Sequence, residues 1–213
     1  MSRNKAEKAA CQIEDVCRED FNESATIPYG LSPGDMCAAM NEFLGFLSLI
    51  NTQLNKKGIP RLECFLMPAN FSSIVGAFMT ATLPKHCKSI VKNYFHNGHP
   101  DLLPKGVYPD NSILHAKEGI EVKASRYLKG WQGHNPEDVW LMVFCFEANR
   151  IQDEEKGIDP IPFRFIKVVG SKLRKKDRRF SGRSATSRRT ITASVTRSGY
   201  DKMEANWIYR APK

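Results

Sequence analysis

Residues 119–125 read Gly-Ile-Glu-Val-Lys-Ala-Ser. Side chains along a strand alternate faces, so here Ile120, Val122 and Ala124 would enter a core while Glu121, Lys123 and Ser125 emerge together on the other side. A carboxylate beside an ammonium either forms a pair on a solvated surface or belongs to a site. Two further acids lie upstream, each after a proline: Asp101 in "HPDLL" and Asp110 in "YPDNS". An Asp and a Glu on adjoining strands can hold Mg²⁺ while leaving it several waters, and the carbonyl of Val122 is available as a further oxygen donor. Such a metal polarises a phosphoryl oxygen and helps to deprotonate a water, and a nearby ammonium orients that water and stabilises the negative transition state. This is the set of groups that hydrolysis of a phosphodiester needs. Asp101, Glu121 and Lys123 would be catalytic; Asp101, Glu121 and the Val122 carbonyl would hold the metal. Asp101 runs into Leu102 and Leu103 as a strand entering a core would, whereas "YPDNS" reads equally well as a β-turn. This favours Asp101, with Asp110 the alternative.

The elements that must position these residues divide by character along the chain. A helix is expected from about Lys5 to Arg18. A stronger one follows in "SPGDMCAAMNEFLGFLSLINTQLNKKG", where Met36, Met40, Phe43, Leu44, Leu47 and Ile50 recur at helical spacing and Gly58 is a stop. "ECFLM" is a short strand or a turn. "PANFSSIVGAFMTATLP" is a further helix, with Pro68 at its start and Pro84 beyond its end. From about Val91 short apolar runs alternate with turn residues, as in a curved set of strands. "VWLMVFCFEA", apolar nearly throughout, fits a central strand buried on both faces. "FRFIKVVG" is another strand, and "RTITASVT" and "NWIYR" are two last strands that could form a hairpin. The reading is one mixed α/β domain over 1–213, a mixed β-sheet flanked by helices: a mainly helical part (1–90), a sheet core bearing the site (91–170) and a basic C-terminal segment (171–213).

Charge is concentrated in that last segment. Between Ser171 and Arg197 lie ten basic residues and one acid, Asp177, and this imbalance equals the +9 formal charge of the whole chain. A cationic segment on an otherwise neutral protein points to a polyanionic partner, and its seven Arg to three Lys favours phosphate forks and base edges. Lys175, Lys176, Arg178, Arg179, Arg183, Arg188 and Arg189 are the candidate DNA contacts, with Arg188 and Arg189, just before a strand, the first candidates for base contact. "GWQGHNPED" leaves the Glu121 strand directly. Its Gln132, His134 and Asn135 either touch DNA or belong to a turn that ends at Asn135-Pro136 while Trp131 packs inward.

"HPDLL" followed by "GIEVKAS" resembles the PD-(D/E)xK nuclease superfamily, and in particular its type II restriction endonucleases. The matching residues span about Gly98 to Ala148, and the helical part carries no specific signature. The resemblance implies a restriction-endonuclease-like core, a site-specific Mg²⁺-dependent endodeoxyribonuclease acting on double-stranded DNA as a homodimer, and a separately encoded cognate DNA methyltransferase. A repair or mobile-element nuclease would share the chemistry. The rival class is a basic nucleic-acid-binding protein without catalysis, in which Glu121 and Lys123 only pair.

Other classes fit poorly. At 41% hydrophobic and 10% aromatic residues the composition is globular, and no run reaches the roughly 18 apolar residues of a membrane span. The first twenty residues are charged throughout, unlike a signal peptide, so a cytoplasmic protein with no membrane partner is expected. None of the six cysteines is in C-x-x-C spacing and reduced thiols are expected; His86, Cys87, His96 and His99 match no common zinc-site pattern.

Overall fold

A computed structural model describes residues 3–133, 138–181 and 192–212. The helices are α1 (Arg3–Ala10), α2 (Pro33–Lys56), α3 (Leu62–Phe65), α4 (Pro68–His86) and α5 (Arg197–Ala205). The strands are β1 (Ile90–Lys92), β2 (Leu102–Pro104), β3 (Ile120–Ser125), β4 (Gln132–Gly133), β5 (Val139–Glu147), β6 (Arg164–Leu173), β7 (Arg178–Ser181), β8 (Thr192–Val195) and β9 (Trp207–Arg210).

Six strands form a mixed sheet in the order β1-β2-β3-β5-β6-β9, in which β3 and β5 run parallel and the other neighbours antiparallel. β5 is central and buried along its length except at Glu147, as its unbroken apolar sequence requires. Its alternate residues serve two cores. Trp140, Met142, Phe144 and Phe146 face α2 and α4, and Leu141, Val143 and Cys145 face Trp131, Leu173 and Met203 on the opposite side. The expected mixed sheet flanked by helices is thus the architecture found.

α2 starts sharply because Ser32 and Asp35 form a reciprocal capping box with Pro33 in the first turn. Its apolar stripe, Met36 to Leu47, packs on α4 and on an aromatic cluster in which Phe43 lies 5.2 Å from Phe163. α4 lies along β3, and its Gly76 comes close: a Cβ there would sit 3.8 Å from the Ala124 nitrogen.

Several boundaries differ from the expectations. The first helix ends at Ala10, not Arg18, because the following chain is drawn onto α2: Asn41 Oδ1 accepts from the Val16 amide at 2.8 Å, and Asn41 Nδ2 donates to the Val16 carbonyl at 2.9 Å. "ECFLM" contributes to α3 rather than a strand. Pro84 lies inside α4, in its last turn. The last two strands do not form a hairpin. α5 separates them, and β9 joins the edge of the large sheet whereas β8 lies in a second, three-stranded sheet ordered β4-β8-β7. Within 171–213, β9 and α5 contribute Ile208, Tyr209 and Met203 to the cores. Among the described residues no helix is long and apolar enough to cross a membrane, and the six cysteines are free thiols.

Candidate active site

β2 and β3 meet antiparallel at a single pair, Leu102 with Ile120. One residue further along each strand, Asp101 comes opposite Glu121, and there the ladder stops. Instead of a main-chain acceptor, the Val122 amide finds the side chain of Asp101, donating to Oδ2 at 2.8 Å. The N–H and C=O of one strand residue leave on the same side, so the Val122 carbonyl also faces Asp101. Lys123 Nζ donates to Glu121 Oε1 at 2.6 Å, and His99 Nδ1 lies 3.3 Å from Glu121 Oε2. Glu121 is buried, 6% exposed, and not on a solvated surface.

The parting of the strands is built from outside them. Asn93, buried after β1, spends its whole amide here: Nδ2 donates to the carbonyls of Pro100 (3.1 Å) and Ile113 (2.8 Å), and Oδ1 accepts from the amides of Phe95 and Ile113 (3.1 Å each). Its own amide donates to the Asp101 carbonyl at 2.8 Å. Gly119 enters β3 at φ 138°, and a Cβ would stand 2.3 Å from the Leu102 carbonyl oxygen, so only glycine admits this approach. The Tyr29 hydroxyl accepts from the Gly119 amide at 2.8 Å and donates to Glu118 at 2.6 Å. Burial and this carboxylate push the Tyr29 hydroxyl up to about 12.

The two acids titrate apart. Burial and the charge of Glu121 push Asp101 up to about 7, against the pull of the Val122 amide, Lys123 and His99. Burial also works against ionised Glu121, but His99 and Lys123 outweigh it and draw the group down to about 2. Burial disfavours the Lys123 ammonium, and Glu121 more than restores it, so Lys123 is held protonated above its ordinary range. One carboxylate is thus charged and countered, while its neighbour is short of positive charge.

The chemistry of the donor set bears on whether Mg²⁺ fits. Among the described residues no three His, Cys, Asp or Glu side chains form a ready-made metal cluster. Two carboxylates with a main-chain carbonyl on the same side are nevertheless an all-oxygen set suited to a hard cation that keeps most of its waters. Asp101 held above its ordinary range beside ionised Glu121 is what a cation would relieve.

Asp110 is elsewhere: it is exposed, at φ 50°, in a 3-10 turn spanning Pro109–Asn111, so Asp101 is the acid that adjoins Glu121. Glu63 is buried against Arg61 at 2.6 Å and Asn51 at 2.9 Å, and Glu118 is at the surface. Of the basic segment, Arg178 is buried on β7 and near enough to Lys123 to disfavour its charge, whereas Arg179 is exposed on the same strand. Asp177 is turned inward and held by Lys202 at 2.7 Å. Lys175 and Lys176 are exposed in the turn before β7. Gln132 lies on β4, paired with β8 in the same small sheet. Trp131 is buried, its Nε1 donating to the Tyr127 carbonyl at 2.8 Å. His134, Asn135, Arg183, Arg188 and Arg189 lie outside the described residues.

Sequence reasoning missed His99, Asn93 and Tyr29. His99 is two residues from Asp101 and was legible as a neighbour. Asn93 and Tyr29 act across the fold and carry no local signal. No family model matches the chain, nor does any curated protein or solved structure.

Proposed function

We propose that the chain is a Mg²⁺-dependent endodeoxyribonuclease of the PD-(D/E)xK type, with a restriction-endonuclease-like core. The observation that carries this reading is Asp101 bound to the amide between Glu121 and Lys123, where β2 and β3 part. Asp101, Glu121 and the Val122 carbonyl would hold the ion. Bound Mg²⁺ supplies Lewis-acid polarisation of the scissile phosphate and lowers the pKa of a water. The protein does the rest. Lys123, kept protonated by Glu121, donates to the attacking water or a non-bridging phosphate oxygen and stabilises charge as it grows. The charge of the ion would favour the ionised form of Asp101, which burial and Glu121 disfavour. His99 and Lys123 fix the two oxygens of Glu121, so little reorganisation accompanies reaction. Arg178 adds positive potential from the second sheet, and Arg179, Lys175 and Lys176, exposed on β7 and the turn before it, would contact backbone phosphates.

Within this class the reading is a type II restriction endonuclease: a cytoplasmic homodimer cutting a short palindrome in double-stranded DNA, accompanied by a separate methyltransferase. The test is digestion of plasmid DNA by the purified protein with Mg²⁺. Discrete fragments are expected, and Glu121→Ala or Lys123→Ala should stop cutting while DNA binding survives. Binding without cleavage by the wild type, across plasmids and divalent metals, would overturn the reading in favour of a non-catalytic DNA-binding protein. Indiscriminate degradation would transfer it to a repair or mobile-element nuclease.

A further inference from the structure

Beyond the end of β3 lies a partly buried cation, Arg126, that no ion pair reaches among the described residues; the charges of Glu63 and Asp153 act on it only from further off. Arg126 lies against the rings of Phe71 and Phe146, its guanidinium carbon 5.3 and 5.2 Å from their centroids, and Nη1 donates to the Ala148 carbonyl at 2.5 Å. Its Nε and Nη2 are shut off from water and have no hydrogen-bond partner. Burial and the nearby charge of Arg150 push the Arg126 guanidinium below its ordinary value.

Arg126 lines a cavity of about 570 Å³ that Arg150, Lys156 and Arg164 also line, together with two carboxylates, Glu147 and Asp153. Both carboxylates are engaged. Glu147 pairs with Arg164 at 2.8 Å, and Asp153 accepts from the Arg150 amide at 2.8 Å and the Asn149 side chain at 3.4 Å. No ion pair reaches the side chains of Arg126, Arg150 or Lys156 among the described residues. Leu128 and Ile158, both largely exposed, add apolar wall.

A guanidinium whose Nε and Nη2 are shut off from water and unpaired is unfavourable unless an anion answers it, and its field reaches further there than in water. Two exposed cations at the same cavity can touch such an anion directly. The cavity exceeds the needs of a bare ion, and its apolar wall suits an organic body. We propose that it is a binding site for the phosphate of a nucleotide: Arg150 and Lys156 contact the phosphate, Arg126 supplies charge from behind, and Leu128 and Ile158 receive the sugar or base. Arg126 is three residues after Lys123, an odd step that sends the two side chains to opposite sides of a strand, and it packs with Phe71 and Phe146. The phosphate belongs either to a free nucleotide or to a DNA strand held on this side; only the second source rests on the nuclease reading.

The test is calorimetric titration of the full-length protein with deoxyadenosine monophosphate, deoxyadenosine and a short DNA duplex, each at low and high salt. Binding of the monophosphate but not of the nucleoside is expected for a free-nucleotide site; binding of the duplex alone assigns the phosphate to DNA. In either case the double variant Arg150→Ala/Lys156→Ala, altered only at exposed side chains, should weaken that binding at least tenfold. Arg126→Met, which keeps the packing between the two rings, should weaken it as well. Unchanged affinity in the double variant, or no binding of any phosphate probe, overturns the proposal. Glu121→Ala should retain this binding, so that a failed nuclease reading and a failed phosphate site give different results.

Discussion

Replacing Asp101 with Asn should make the metal-free protein more stable while removing its proposed activity. Asp101 stands at about 7 in the folded chain, against an ordinary 3.8. Between those pH values the folded chain holds a proton that the unfolded chain has released. Raising the pH across this window therefore favours unfolding, and above about 7 the whole penalty is present. Roughly three pH units at about 1.4 kcal/mol each set an upper bound of about 4 kcal/mol. Glu121 acts in the opposite sense. Its stabilisation is in place above about 4.5 and is lost as the pH falls toward 2. Together the pair gives the metal-free protein a stability maximum near pH 4–5 and a decline toward neutrality. Asp101→Asn keeps an acceptor for the Val122 amide and removes the charge beside Glu121, so it should abolish the decline. At pH 8 with chelator its melting temperature should exceed that of the wild type by about 5–15 °C, at roughly 2–4 °C per kcal/mol for a chain of this size. Mg²⁺ should raise the wild type toward the variant and leave the variant unmoved. The assay is thermal or urea unfolding from pH 3 to 9, with chelator and with Mg²⁺. A wild type equally stable at pH 5 and pH 8 without metal, or a variant less stable than the wild type at pH 8, would refute the reasoning.

Three other perturbations probe the frame around the acids. Gly119→Ala puts a methyl where 2.3 Å separates it from the Leu102 carbonyl and should cost at least about 2 kcal/mol in urea titration, with cleavage lost; an undiminished midpoint would contradict the close approach. Asn93→Leu leaves the carbonyls of Pro100 and Ile113 and the amides of Phe95 and Ile113 without partners, at about 1–3 kcal/mol for each that water cannot reach. A loss of at least about 3 kcal/mol is expected, and a loss under about 1 would show that Asn93 does not hold Asp101 in place. Neutralising Lys175 and Lys176 should weaken DNA binding on every sequence and reduce the slope of log affinity against log salt by about 2; an unaltered slope would remove this turn from the DNA surface.

Much of the frame is legible because the sequence is locally consistent. α2 announces its start by Ser-Pro-x-Asp and its face by apolar spacing, and β5 by length and unbroken hydrophobicity. α5 is not legible. Its nine residues carry a glycine, and that glycine is present because a Cβ at Gly199 would meet the Asp177 carbonyl at 2.7 Å, a contact between segments the sequence keeps apart. Likewise Glu121, Lys123 and an upstream Asp could be named from spacing. Asp101 is marked out by the Leu residues that follow it; it lies opposite Glu121, whereas Asp110 occupies a turn. Glu121's burial is a matter of how the chain folds around β2 and β3, which no local pattern encodes; His99, two residues from Asp101, is legible as a neighbour, but its contact with Glu121 is not.

The tether of Asp101 is a main-chain amide, and this has a consequence for how the sequence can drift. Any residue type at position 122 provides that N–H except proline. Selection there can act on how well the side chain fills the space beneath α4, through Val, Ile, Leu or Ala, without disturbing the acid on the neighbouring strand. Substitution at this middle position should thus be tolerated in proportion to volume, while its two flanking neighbours admit almost none.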